Sequence, residues 1–313
     1  MPYKVAFIGA GYMAEEHLKV FSTISEFEIS GIYGRSYEKA KLLADNYDIQ
    51  SVHQSISMLY ESSKPDLVII AVPELQLLNV LRETLKYPWR MLVEKPVGYN
   101  YVDALEIEML TNDLAGEIYV ALNRRHYSST RFALEKIKNN SGNRVVHIID
   151  QENLLEARDA GQPDEVVKNW MFANSIHMID FFSQFCRGDI LEIQNIQTPL
   201  HNSSNFVSSI ISFNSGDLGI YNGIWDAPGP WHITITTSSS RYEFRPLEKL
   251  AIQTFPSRIA QNIPQAEEDL LFKPGLLVQA RQSLLMLEGL PHALPTLTDA
   301  MKTMLIIERI YGV

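Results

Sequence analysis

At 313 residues, 46% of them hydrophobic, the chain carries enough apolar surface for two domains. A formal charge of -10, from 27 Lys and Arg against 37 Asp and Glu, excludes a general nucleic-acid surface, which needs clustered cations. The single cysteine, Cys186, excludes an internal disulfide and reads as a buried inert thiol among Phe181, Phe182 and Phe185.

No apolar run approaches the ~20 residues that span a bilayer. The N-terminus offers no signal-sequence pattern, because an apolar strand begins at once, so a cytoplasmic protein is expected. Tyr3, Val5, Ala6, Phe7 and Ile8 lead directly into Gly9-Ala10-Gly11-Tyr12-Met13-Ala14, and Leu18, Phe21 and Ile24 follow at helical spacing. Glycines at this spacing also occur in ordinary loops. Placed between a strand and a helix, they point to a dinucleotide site. Gly9 allows a backbone conformation closed to other residues, Gly11 lets a pyrophosphate approach, and Ala14 keeps helix and strand close. The helix N-terminus then faces the phosphates.

Glu28 to Tyr33 reads as the second strand, followed by Gly34-Arg35-Ser36. An NAD site usually has an acid near the end of this strand, whereas Arg with a small hydroxyl residue suits the 2'-phosphate of NADP. Arg35 and Ser36 therefore favour NADP(H) over NAD(H). The alternative makes Arg35 a solvated turn residue and Ser36 the cap of a helix over Tyr37 to Tyr47.

Pro65 to Pro73 is a continuous apolar run, as expected for a strand covered on both faces, with Ala71-Val72-Pro73 at its carboxyl end. A helix from Glu74 to Lys86 and a strand from Arg90 to Val93 come next. This alternation predicts a doubly wound fold, whose ligands lie beyond the carboxyl ends of the strands. Glu94-Lys95-Pro96 falls at such an end. Pro96 restricts the backbone of Lys95, and the amine can donate to a substrate oxygen; a solvated loop lysine is the alternative. A helix over Tyr101 to Asn112 and a strand from Glu117 to Asn123 bring the chain to Asn123-Arg124-Arg125-His126.

Beyond this point long strands follow one another: Arg144 to Glu152, Asp189 to Gln197, Phe206 to Asn214, Leu218 to Trp225, His232 to Thr237 and Tyr242 to Phe244. The predicted class is therefore α/β, with an N-terminal Rossmann doubly wound parallel sheet at residues 1–122. An α+β domain with a large, open, mostly antiparallel sheet occupies 123–313. Trp225 to Trp231 reads as an exposed turn. Trp170 to Phe182 reads as a helix with His177 and Asp180 on one face. His177 is either a proton carrier or a hydrogen-bonded packing residue. Leu154 to Val167 reads as a loop in which Arg158 meets a carboxylate or phosphate, or simply an exposed polar loop.

These motifs resemble the glucose-fructose oxidoreductase, inositol dehydrogenase and MocA (Gfo/Idh/MocA) family of nicotinamide-dependent oxidoreductases. The resemblance runs from the glycine turn through Tyr37-Glu38-Lys39-Ala40, Glu94-Lys95-Pro96, Asn123-Arg124-Arg125 and Ile176-His177-Met178-Ile179-Asp180. It ends in the tail from Asp299-Ala300 to Arg309-Ile310-Tyr311. It implies hydride transfer between nicotinamide C4 and a hydroxyl or ketone carbon of a sugar, cyclitol or nucleotide-linked sugar. Lys95 then bonds the reacting oxygen and His177 serves as acid or base. Candidate cofactor contacts are Gly9, Ala10, Gly11, Tyr12, Met13, Ala14, Arg35, Ser36, Ala71, Val72, Pro73, Glu94, Lys95 and Arg124. Candidate substrate contacts are Lys95, Asn123, Arg158, Asn174 and His177, and no metal is expected.

The resemblance also implies a homodimer or homotetramer formed through the free sheet face, with Ile220, Asn222 and Ile224, and a C-terminal helix that packs back on the first domain. Two positions depart from the family pattern. Ala173 stands where an Asp is common four residues before the histidine, and Leu77 where many relatives have a histidine. A non-catalytic sensor that binds NAD(P) or a sugar, or a redox-assisted glycosidase, therefore remain alternative readings.

Overall fold

Short strands of β-branched and aromatic residues alternate with amphipathic helices through the first third of the chain. The computed structural model describes residues 1–112, 118–197 and 205–313 and pairs these strands in one parallel sheet. The strands are β1 (Tyr3–Ile8), β2 (Phe27–Tyr33), β3 (Val52–His53), β4 (Leu67–Ile70), β5 (Arg90–Val93) and β6 (Ile118–Val120), in the order β3-β2-β1-β4-β5-β6. Between them run α1 (Tyr12–Phe21), α2 (Tyr37–Asn46), α3 (Ile56–Ser63), α4 (Glu74–Thr84) and α5 (Tyr101–Thr111). All four residues of β4 are buried, as a strand covered on both faces requires. β1 pairs with β2 on one side and β4 on the other, so the strand order reverses where Gly9 and Ala71 leave the sheet. That reversal is where open α/β sheets bind ligands. Glu117, the expected start of the last strand, lies outside the described residues.

The second sheet comprises β7 (Val145–Glu152), β8 (Ile190–Gln197), β9 (Phe206–Phe213), β10 (Leu218–Trp225), β11 (His232–Thr236), β12 (Ser240–Phe244), β13 (Leu250–Thr254) and β14 (Gln261–Ile263). Its order is β14-β13-β12-β11-β7-β10-β9-β8, and β7 with β10 is the parallel pair in an otherwise antiparallel ladder. Its helices are α6 (Ser128–Ile137), α7 (Leu154–Asp159), α8 (Asp164–Lys168), α9 (Ile176–Phe185) and α10 (Glu268–Leu271). They are followed by α11 (Leu276–Leu287) and α12 (Leu297–Tyr311). Strand period sorts the faces. On β10, Tyr221 and Trp225 are buried, whereas Ile220, Asn222 and Ile224 are half-buried. The buried face packs against α9 so closely that a Cβ on Gly219 would lie 2.8 Å from the Phe182 ring.

The chain divides into two compact units, Met1–His126 with Leu271–Met301, and Tyr127–Leu270 with Lys302–Val313. α11 therefore folds with the first sheet. Leu276, Leu277 and Ala280 join Phe7, Leu18 and Phe21 in one apolar core. The start of α12 belongs to the first unit and its remainder to the second.

One expectation for the second unit needs correction. The loop expected over Leu154 to Val167 contains α7 and α8. The Asn153 side chain caps α7 by accepting from the amides of Leu155 and Glu156, and Pro163 followed by Asp164 and Glu165 starts α8. The stretch expected to be helical over Trp170 to Phe182 is helical, as a π-helical turn, Met171–Ser175, that runs into α9. Such turns insert an extra residue per turn and shift the side chains that follow.

Asp217 is the polar anchor of this unit. Its carboxylate accepts from Arg187 Nη2 at 2.7 Å and Nε at 2.9 Å, and from the amides of Arg144 and Arg187 at 2.8 Å each. Burial alone would raise its pKa, but these donors hold it below the usual carboxylate value. Asp217→Ala should lower unfolding free energy by about 3 kcal/mol, because donors are stranded in the interior while Arg187 keeps some access to water. Urea unfolding measures the loss. Cys186 nearby is a free, buried thiol whose ionisation is suppressed chiefly by burial.

Candidate active site

In the first unit the glycine turn forms where three strands end. Gly9 adopts φ 118° and donates its amide to Tyr33 O at 2.8 Å, and Ala71 donates to Ile8 O at 2.8 Å. A Cβ on Gly9 would lie 2.0 Å from Ala71 O. Gly11 is the N-cap of α1 and contributes no capping side chain, and a Cβ there would have no neighbouring atom within 4 Å. The open space above Gly11, with the α1 amides at its edge, fits a dinucleotide diphosphate. Gly9→Ala combines a disfavoured backbone with a backbone clash. It should destabilise the protein by on the order of 2–3 kcal/mol and weaken NADH binding at least tenfold, read by thermal denaturation and nicotinamide fluorescence.

Arg35 is exposed at the end of β2. Ser36 caps α2, accepting from the Lys39 amide at 3.3 Å, and donates to Glu38 Oε2 at 3.1 Å. Its hydroxyl is thus engaged in the capping arrangement, and an acid stands beside it.

Met91, Leu92 and Val93 of β5 are buried and carry Glu94-Lys95 to the carboxyl edge of the sheet. His17 of α1 meets Glu94 at 2.8 Å, Nε2 to Oε1, with both residues buried. The helix behind the glycine turn is thereby tied to the residue before Lys95. Burial lowers the Lys95 pKa; Glu94 and Glu74 oppose the shift, while Arg124 and Lys273 add to it. Asn123 is buried and donates its amide to Pro274 O at 3.0 Å, so it also holds the returning segment before α11. His17 and Lys273 were not singled out from the sequence. His17 sits on the buried face of α1 with no motif to mark it, and Lys273 lies far downstream.

In the second unit His177 is buried near the start of α9, directly after the π-helical turn that contains buried Ala173. Asp180, one turn on, accepts from Thr303 Oγ1 at 2.8 Å. Asn174 donates to Glu152 Oε2 at 2.8 Å, and the Trp170 indole donates to the same oxygen at 2.8 Å. Asp150, two residues earlier on the same face of β7, accepts from the Tyr221 hydroxyl at 2.7 Å, which in turn lies 2.7 Å from the Tyr311 hydroxyl. Asp150 and Glu152 are both essentially inaccessible to water. Burial, followed by the neighbouring Asp150, pushes the Glu152 pKa well above the usual carboxylate value. Two carboxyls so placed titrate as a pair. Sequence reading missed this pair, although Asp150 and Glu152 at strand period 2 on a buried face are its signature.

Arg158 lines a separate surface cleft with Gln151, Asn153, Asp226 and Pro228. Gln151 alternates with Glu152 along β7, which puts that cleft on the strand face opposite the carboxyl pair. Among the described residues no group of three His, Cys, Asp or Glu side chains is arranged to hold a metal, and no helix is long and apolar enough to cross a membrane.

Residues 3–121 match the oxidoreductase family GFO_IDH_MocA, with its NAD-binding Rossmann fold. A search of curated protein sequences found no match. Among solved structures, a dehydrogenase from Chromobacterium violaceum is similar at TM-score 0.81 and 15% identity, covering 99% of this chain and 94% of that one. UDP-N-acetylglucosamine 3-dehydrogenase GnnA from Acidithiobacillus ferrooxidans gives TM-score 0.78 and 12% identity over 100% and 97% of the two chains. An Agrobacterium radiobacter oxidoreductase in complex with NAD+, L-tartaric acid and magnesium gives 0.77 and 15% over 100% and 96%. At these identities the likeness establishes the fold.

Proposed function

We propose, from the match of residues 3–121 to the Gfo/Idh/MocA oxidoreductase family with its NAD-binding Rossmann fold, a dehydrogenase or reductase acting on a secondary alcohol or ketone of a sugar, cyclitol or nucleotide-linked sugar. The observation that carries this reading is Lys95, at the carboxyl edge of β5, with an amine whose charge is disfavoured by burial. The nicotinamide supplies the hydride acceptor or donor when bound. The glycine turn holds the diphosphate, Lys95 donates to the reacting oxygen, and His177 takes or returns the hydroxyl proton. Asn174, its amide nitrogen turned to Glu152, presents its carbonyl oxygen as a hydrogen-bond acceptor for a substrate hydroxyl.

NADP(H) is the favoured cofactor, on the strength of exposed Arg35, a preference that Glu38 beside Ser36 tempers. The half-buried sheet face with Ile220, Asn222 and Ile224 is assigned to pairing with a second copy as a homodimer or homotetramer. Ala173 motivates a second reading, a sensor that binds the same ligands without turnover.

The test is to titrate NADPH and NADH into the purified protein, then follow nicotinamide absorbance in both directions with a panel of sugars, cyclitols, nucleotide sugars and their ketones. Turnover with one class supports the enzyme. Tight dinucleotide binding without turnover across the panel favours the sensor.

A further inference from the structure

The segment that leads into α11 returns to the first unit and is held there at two points. Asn123 donates to Pro274 O at 3.0 Å, and Gly275, at φ 79°, starts the helix that packs into the core beside α1. This anchoring fixes Lys273. Its ammonium stands 5.4 Å from the centroid of the Tyr12 ring, and Tyr12 is the first residue of α1, directly after Gly11. A cation over an aromatic face at this distance is held weakly but directionally. Lys273 is half-buried, and among the described residues no carboxylate pairs with it.

The electrostatics of this unit agree. Lys273 lies close enough to Lys95 to disfavour its charge, and Arg124 acts in the same sense. Both cations bear on Lys95 against the opposing Glu94 and Glu74, and an anion beside Lys273 would relieve that repulsion. The first turn of α1 favours the same charge.

We propose that Lys273 is a cofactor-binding residue whose ammonium pairs with the diphosphate of the nicotinamide dinucleotide beside Tyr12 at the N-terminus of α1. The assignment rests on the dinucleotide-dependent reading above and adds to it a cation from outside the matched residues 3–121. Because the diphosphate is common to NAD(H) and NADP(H), Lys273 contributes to affinity for both and does not discriminate between them. Discrimination stays with the residues after β2.

The experiment measures dissociation constants for NADH and NADPH by nicotinamide fluorescence, and for ADP-ribose by competition, in the wild type, Lys273→Arg, Lys273→Met, Lys273→Gln and Lys273→Glu. Loss of a charge-assisted contact should weaken all three ligands about tenfold in Lys273→Met and Lys273→Gln, and further in Lys273→Glu, while Lys273→Arg stays near the wild type. Wild-type affinity should also fall more steeply with added NaCl than that of Lys273→Met.

An order that follows side-chain bulk instead of charge would show that Lys273 only packs on Tyr12 and would overturn the assignment. So would unchanged affinity in Lys273→Met and Lys273→Glu, or a loss for NADH and NADPH that spares ADP-ribose. If the wild type binds no dinucleotide, the functional reading falls and this assignment falls with it. Wild-type binding with indifferent variants defeats the assignment alone.

Discussion

Lys95→Met should lower turnover on the substrate that the panel identifies by about a thousandfold, the range lost when a positioned proton donor is removed. The dissociation constant for the dinucleotide should stay within about threefold. Methionine keeps the length and much of the apolar stem of lysine, so Glu94 and its contact with His17 are expected to persist. The amine has a second signature. Burial, opposed by Glu94 and Glu74, sets its pKa below that of a free lysine, so ketone reduction should fall as pH rises through that lowered value. A plot of rate against pH in the wild type should carry this limb at lower pH than an ordinary lysine gives, and Lys95→Met should lack it. Turnover in Lys95→Met within a few-fold of the wild type would remove the lysine from the mechanism.

The parts of this protein that could be read from the chain are those written in local pattern. Leu67–Ile70 is apolar at every position because β4 is covered on both faces, and Gly9 to Ala14 declares strand, turn and helix within a few residues. The alternation on β10 marked its two faces in the same way. What escaped was set by partners distant in sequence or by small departures from regular geometry. Asn153 and Pro163 are helix-start signals, but the helices they open are only six and five residues long, too short for periodicity to show. The π-helical turn before His177 differs from an α-helix by one hydrogen-bond step, and no composition rule marks it. His17 with Glu94, Asn123 with Pro274, and Glu152 with Asn174 each join residues whose neighbours in sequence say nothing of the other. The site residues named from motif thus came without the side chains that orient them.

Glu152→Gln should change how stability depends on pH more than it changes stability itself. In the fold, burial and Asp150 hold the Glu152 pKa well above its ordinary value near 4.5, which the unfolded chain recovers. The folded protein therefore retains a proton that the unfolded chain has released. The stabilisation from that proton is complete below the unfolded pKa and is lost as pH rises through the folded one. One such proton is worth about 1.4 kcal/mol per pH unit within that window. As pH rises from the unfolded pKa through the raised folded one, the wild type should lose stability that Glu152→Gln does not lose in urea unfolding, since glutamine has no proton to give up. Asp150, Tyr221, Tyr311, Trp170, Asn174 and Ser175 are the polar groups around this carboxyl. The two tyrosines stay protonated throughout, because burial raises their pKa values further. His147 and His232 have pKa values lowered by burial and pull the opposite way, gaining stability as pH rises, but they contribute equally to both proteins and cancel in the difference. Asp150→Asn should flatten the profile in the same direction by removing the neighbouring charge. If wild type and Glu152→Gln lose stability in parallel over this range, the two carboxyls do not share a proton, and Asn174 is held by a fully ionised Glu152 instead.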